Sequence, residues 1–114
     1  MPQDKDLVII DLTELFSAPS ILLVGEPLSG IHSVEEYIRS INPTGKITIA
    51  YDRNITTIYS MADVILEVVQ QVMGSRVERH MIIQKWKGHE VPETILPFII
   101  KPNKIEPDTK ERVG

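Results

Sequence analysis

The segment that most constrains this chain is residues 58–72. There Ile58, Met61, Ala62, Ile65, Val69 and Val72 fall at i, i+3, i+4, i+7, i+11 and i+14. That is the recurrence of a helix rather than of a strand. The polar residues Asp63, Glu67, Gln70 and Gln71 share one narrow stripe, while Val64, Leu66 and Val68 widen the apolar part. A helix apolar over most of its circumference is covered from more than one side. The spacing therefore predicts a central helix, packed on a sheet on one side and on another helix or a partner chain on the other.

Shorter segments flank it. Ile21-Leu22-Leu23-Val24 is a continuous apolar run closed by Gly25, the pattern of a strand buried on both faces. Ser33 with Glu36 three residues on is a capping box, and Val34, Tyr37, Ile38 and Ile41 supply an apolar helical face that stops at Asn42-Pro43-Thr44-Gly45. Residues 46–51 alternate as a strand. Gly74-Ser75 closes the long segment. Residues 77–87 and 94–101 read as two further strands, joined through Gly88-His89-Glu90-Val91-Pro92. Pro97 lacks an N–H, which places it at an edge or a bulge.

These elements give the order β-α-β-α-β-β. The fold expected is a two-layer α/β sandwich, a mixed sheet with two helices on one face. Residues 1–17 form an N-terminal arm in which Leu7-Val8-Ile9-Ile10 suits either an added strand or a helix. Residues 18–102 are the domain. From residue 103 on, Pro, Asp, Glu and Lys without periodicity predict a disordered tail.

Composition bounds the chemistry. The chain has 114 residues and no Cys, so disulfides, thiolate metal sites and cysteine nucleophiles are excluded. It offers no apolar run of membrane-span length and no signal-peptide start, so a cytoplasmic protein without membrane contact is expected. The net charge of −4 argues against strong non-specific binding to nucleic acid, which rests on cations neutralising phosphates. The charge is uneven, however. Arg76, Arg79, Lys85, Lys87, Lys101 and Lys104 face only Glu78, Glu90 and Glu93 within residues 76–104, so the two ends of the chain carry opposite fields.

Few residues suggest catalysis. His32, His80 and His89 show no i, i+4 metal spacing, and no acid and base are positioned together. The loop Gly25-Glu26-Pro27-Leu28-Ser29-Gly30 lies where phosphate loops occur, between a strand and a helix. It lacks the Lys-Ser/Thr of such loops, and Glu26 would repel a phosphate. No catalytic residue, metal or cofactor is expected. Lys85-Trp86-Lys87-Gly88-His89 is the most suggestive stretch. An indole between two lysines stacks on a base while the cations meet phosphates. The plainer alternative is that Trp86 packs the core and the lysines are solvated.

Ile21-Leu22-Leu23-Val24-Gly25 resembles the first strand of the Alba family of small nucleic-acid-binding proteins. Residues 47–56 with Ser60-Met61-Ala62-Asp63-Val64 resemble the family's core motif, a strand, a basic step and a helix, and residues 77–83 and 95–101 its long hairpin. The resemblance implies a dimer that binds DNA or RNA. It transfers contact roles to Arg53 and to the hairpin cations. The sequence departs from the family at Gly25-Glu26-Pro27 and Tyr51-Asp52-Arg53-Asn54, where the family is more basic. The site expected on this basis is Arg53, Arg76, Arg79, Lys85, Trp86, Lys87 and His89, in a homodimer or in a heterodimer with an Alba-like chain. The rival expectation is a protein-interaction subunit that keeps the fold without the nucleic-acid surface.

Overall fold

The structure is a computed structural model, and it describes residues 12–51, 61–89, 94–102 and 104–107. Its elements in chain order are α1 (Leu12–Leu15), β1 (Ser20–Gly25), α2 (Ile31–Ile41), β2 (Lys46–Ala50), β3 (Val64–Met73), β4 (Arg76–Trp86), β5 (Thr94–Lys101) and β6 (Lys104–Pro107). The six strands form one mixed sheet in the order β2-β1-β3-β4-β5-β6. β1 is parallel to β2 and to β3, with Ile21 opposite both Ile47 and Val64. The remaining pairs, β3–β4, β4–β5 and β5–β6, are antiparallel.

β1 is buried on both faces, as its unbroken apolar run requires. Ile21 and Leu23 enter the main core with Ile31, Val34 and Ile38 of α2, and with Leu66, Met81, Ile83, Phe98 and Ile105 from the other strands. Each such side chain stabilises the fold by about 1.5–3 kcal/mol. Leu22 and Val24 point to the opposite face, into a smaller cluster with Ala50, Ala62 and Ile65.

The largest departure from the sequence reading is β3. Residues 64–73, expected in the central helix, are a ten-residue strand. Five of them are β-branched (Val64, Ile65, Val68, Val69 and Val72), a composition that fits a pleated surface. The first half lies between β1 and β4 and is buried on both faces, so apolar residues occupy consecutive positions. A run that dense also fills helical spacings, and periodicity alone does not separate the two. Met61, a member of the helical stripe, is 72% exposed.

Other expectations shift at the ends. α2 starts at Ile31, with Gly30 as N-cap at φ 97° and no side-chain cap bond, so the Ser33–Glu36 capping box does not form the start. The helix does end at Asn42, whose Nδ2 donates to the carbonyls of Phe16 and Ala18 at 3.0 and 2.9 Å. Leu15 and Phe16, assigned to the arm, are fully buried in the main core. Lys104–Pro107, assigned to the tail, is a strand that extends the sheet past β5. β5 is therefore flanked on both sides, and Pro97 lies one residue before its β6 ladder begins at Phe98. Residues 7–10 lie outside the described residues.

The Alba resemblance fails on this topology. The part of its core motif that enters Asp63-Val64 runs into β3 instead of a helix, and the sheet has six strands. Among the described residues, no helix is long and apolar enough to cross a membrane.

Candidate functional site

The residues singled out from sequence do not converge. β4 runs from Arg76 to Trp86, and ten residues of strand span about 33 Å. Arg76 and Arg79 therefore lie at one end of the sheet, and Lys85, Trp86, Lys87 and His89 at the other. Arg53 lies outside the described residues.

At the first end, Arg76 pairs with Glu78 at 2.9 Å. Arg79 folds against the turn before α2. A Cβ built on Gly30 would lie 3.0 Å from its Nε and 2.9 Å from Ile100 Cδ1. That Nε is buried without a hydrogen-bond partner among the described residues. At the second end, Trp86 is half-buried against the main core and stacks on His89 with centroids 3.9 Å apart. Lys87 Nζ lies 3.8 Å from Asp63 Oδ1, and His89 Nε2 lies 3.5 Å from Glu14 Oε2. Of the two readings of Trp86, its packing against the core is what the structure shows. One face of the indole is taken by the imidazole, and carboxylates lie beside Lys87 and His89.

Two features of the first end went unread in the sequence. The ladder between β1 and β3 stops at Gly25 opposite Val68, whereas β3 runs on to Met73 and pairs with β4 the whole way. β4 in turn pairs with β5 only over Arg79–Ile83. The outer part of β3 and β4 is thus a two-stranded arm closed by Gly74 at φ 65°. Five residues beyond Gly25 carry it about 17 Å past the parallel strands. Val72 and Val77 lie opposite each other there and are 68% and 49% exposed.

A cleft of about 530 Å³ opens at the base of this arm, lined by Gly25, Glu26, Leu28, Ser29, Tyr51, Glu67, Val69 and Gln70 among others. Its position follows from the strand order. β1 is flanked by β2 on one side and by β3 on the other, so the chain leaves its carboxyl end in one direction and returns on the other side. Such switch points open crevices at the carboxyl ends of parallel strands. Gly25 makes the close approach possible, because a Cβ there would stand 2.6 Å from the Val68 carbonyl oxygen. Ser29 is buried, and its Oγ donates to the Glu26 carbonyl at 2.7 Å, holding the loop. Tyr51 Oη is 2.9 Å from His32 Nε2, and His32 Nδ1 is 3.4 Å from Glu35 Oε1. Arg39 holds the other oxygen of Glu35 at 2.9 Å. This chain of contacts ties the end of β2 to the first turns of α2.

Comparison with known proteins gives no family. No family model matches the chain, and no curated protein matches it. Among solved structures it is similar to a KaiC-like protein from the hyperthermophilic archaeon Pyrococcus horikoshii OT3, at 18% identity and a TM-score of 0.43. That match covers 77% of this chain and 46% of the other, so the chain spans under half the length of the structure it matches. Against the Alba assignment stands the sheet itself, in which residues 64–73 are a strand and not a helix. The Alba assignment is withdrawn, and the expectation of DNA or RNA binding loses the resemblance that supported it.

Proposed function

We propose that this chain is a non-catalytic protein-interaction subunit, and that its contact element is the β3–β4 arm, which pairs with the arm of a second copy. The observation that carries this reading is the exposed cross-strand pair Val72–Val77 on a two-stranded projection. Two-stranded ribbons are marginal in water and gain stability when a face is covered. On that face the exposed pair Val72–Val77 lies next to the pair Gln70–Arg79, and Arg79 packs back against Gly30 and Ile100, so the outermost pair is apolar. A two-fold contact uses the same patch on both copies and so must be self-complementary. The facing pair Val72–Val77 at the outer end of the arm meets that condition.

Sedimentation velocity over a concentration series tests the proposal. A dimer that dissociates on dilution is expected for the natural chain, and a monomer at every concentration for Val72→Ser with Val77→Ser. Both positions are exposed, so the substitutions leave the core intact. A natural chain that stays monomeric, or a variant that dimerises as strongly as the natural chain, would overturn it.

A further inference from the structure

The backbone of the arm indicates how two copies join. Resting on the arm contact proposed above, we infer that the joining is edge to edge. β3 of one copy pairs antiparallel with β3 of a second copy, in a hydrogen-bonded ladder centred on Val72, so that two two-stranded arms become one four-stranded ribbon.

Three observations lead there. The first is the direction of the backbone. The Val68 carbonyl oxygen faces β1, since a Cβ on Gly25 would stand 2.6 Å from it. Successive residues of a strand turn their N–H and C=O groups to alternate sides, and from Leu66 to Met73 the β3–β4 register runs without a shift. Gln70 and Val72 therefore also point to the β1 side, where the β1 ladder has ended at Gly25. Among the described residues, their backbone groups on that side have no ladder partner.

The second observation is composition. Val69-Gln70-Gln71-Val72-Met73 is an uncharged edge. The opposite edge of the arm begins Arg76-Val77-Glu78-Arg79, three charges in four residues. Charges of this kind are what natural sheets place on an edge to prevent pairing, so β3 and not β4 is the open side.

The third is self-complementarity. An antiparallel ladder with Val72 on the two-fold axis sets Val72 opposite Val72, and Gln71 opposite Met73 of the second copy. The Val72–Val77 pairs of the two arms then join into one row of valines across one face, made from residues that are 68% and 49% exposed in the single chain. Cross-strand pairs of β-branched residues stabilise a sheet, and a ribbon of more than two strands gains the stability that two strands lack. The same register sets Gly74 of the second copy opposite Gln70. Gly25 lies opposite Val68, so the incoming turn stops before it meets β1.

The test is amide hydrogen exchange of the natural chain at protein concentrations above and below the dimer midpoint, with Val72→Pro as the variant. The Val72 N–H should be protected about tenfold more in the dimer than in the monomer. Gln71, whose backbone faces Glu78 in β4, should be protected at both concentrations. In a mixed dimer of isotope-labelled and unlabelled chains, the α-protons of Gln71 and Met73 should show a contact between copies, because opposed residues outside the hydrogen-bonded pairs have Cα atoms about 4.5 Å apart. Val72→Pro keeps an apolar side chain and loses only an outward N–H, a place where an edge strand accepts proline. It should weaken dimerisation about tenfold or more, the loss of two symmetric backbone bonds. A dimer that leaves the Val72 amide unprotected, shows no Gln71–Met73 contact and survives Val72→Pro would overturn edge pairing while the arm contact stands. A natural chain that is monomeric at every concentration would overturn both. Exchange and the contact between copies are read on the natural chain, so they decide the matter even where the proline variant does not fold.

Discussion

Trp86 and His89 stack with ring centroids 3.9 Å apart and 16° between their planes. The stack is held by the turn that follows β4, in which the His89 N–H donates to the Trp86 carbonyl at 2.9 Å. Gly88 at φ 87° lets the chain reverse within three residues. The imidazole therefore covers an indole that would otherwise show one face to water. His89→Ala should remove that cover, raise the accessibility of Trp86 to acrylamide, and cost about 0.5–1.5 kcal/mol, the range of an aromatic pair. Fluorescence quenching and a urea melt on the same sample check both parts. Since Trp86 is the chain's one tryptophan, the signal is unambiguous.

Two glycines separate steric need from backbone need. At Gly25 a Cβ would lie 2.6 Å from the Val68 carbonyl oxygen, a backbone atom that has no rotamer to move. At Gly74 nothing lies within 4 Å, but φ is 65°. Gly25→Ala should force β1 and β3 apart and destabilise the fold by about 1–3 kcal/mol, as overpacking does. Gly74→Ala meets only the left-handed backbone penalty, about 1–2 kcal/mol. Gly74→Asn should recover most of that, since Asn tolerates the conformation. At position 25 Asn should be worse than Ala. Chemical denaturation of the four variants decides it.

Much of the first half of the chain was legible, and the reason is physical. β1, α2 and β2 form one local unit, and each carries a signal fixed by its own sequence: a continuous apolar run, a 3.6-residue face, and an alternating run ended by Tyr51. β3 was misread because its first half is buried on both faces in the middle of the sheet. That burial erases the alternation that would mark a strand, and only the density of β-branched residues remained as a clue. The cleft was missed for a different reason. It depends on β1 ending at Gly25 beside a strand that runs on, and this register is set between residues 43 positions apart, Gly25 and Val68. The Gly25–Gly30 loop carries Glu26 and no phosphate-loop lysine, and its own residues give no sign that it borders a cleft. The cationic stretches 76–79 and 85–89 were read as one site, whereas the length of β4 puts them at opposite ends.

The β6 strand gives the chain a titratable pair whose direction is defined. Lys104 Nζ lies 2.6 Å from Glu106 Oε2. The hydrogen bond to Lys104, ahead of the opposing effect of desolvation, holds the Glu106 carboxyl below the usual glutamate range. The hydrogen bond to Glu106 raises Lys104. A lowered carboxyl contributes stability above its unfolded pKa and loses it as the pH falls through the folded value. A raised ammonium contributes below its unfolded pKa and loses it as the pH rises through the folded value. The pair therefore supports β6 between the acidic and the alkaline ends and weakens at both. Both groups are solvent-exposed and screened, so the global melting temperature should move little. Local opening of β6 is the sensitive readout. The protection of the Ile105 amide, its exchange rate divided into the intrinsic rate at each pH, should be greatest near neutral pH, and Lys104→Gln should flatten that dependence. An unchanged exchange profile in the variant would show that the strand is held by its ladder and Ile105 alone.

Three truncations report the burial that the strand Val64–Met73 gives its residues. On the helical stripe, Met61 and Val72 would be core positions, and Leu66 would sit off the centre of that face. In the sheet, Leu66 is fully buried, whereas Met61 and Val72 are 72% and 68% exposed. Leu66→Ala should leave a cavity among Ile21, Leu23 and Ile83 and cost about 2–5 kcal/mol. Met61→Ala should fall within about 0.5 kcal/mol of the natural chain, as surface changes do. Val72→Ala should also be small in a dilute monomer, and any larger loss at high protein concentration would report the arm contact by mass action. Urea melts at two protein concentrations distinguish these cases. A costly Met61→Ala beside a mild Leu66→Ala would reverse the assignment of β3, and with it the cleft that β3 helps to form.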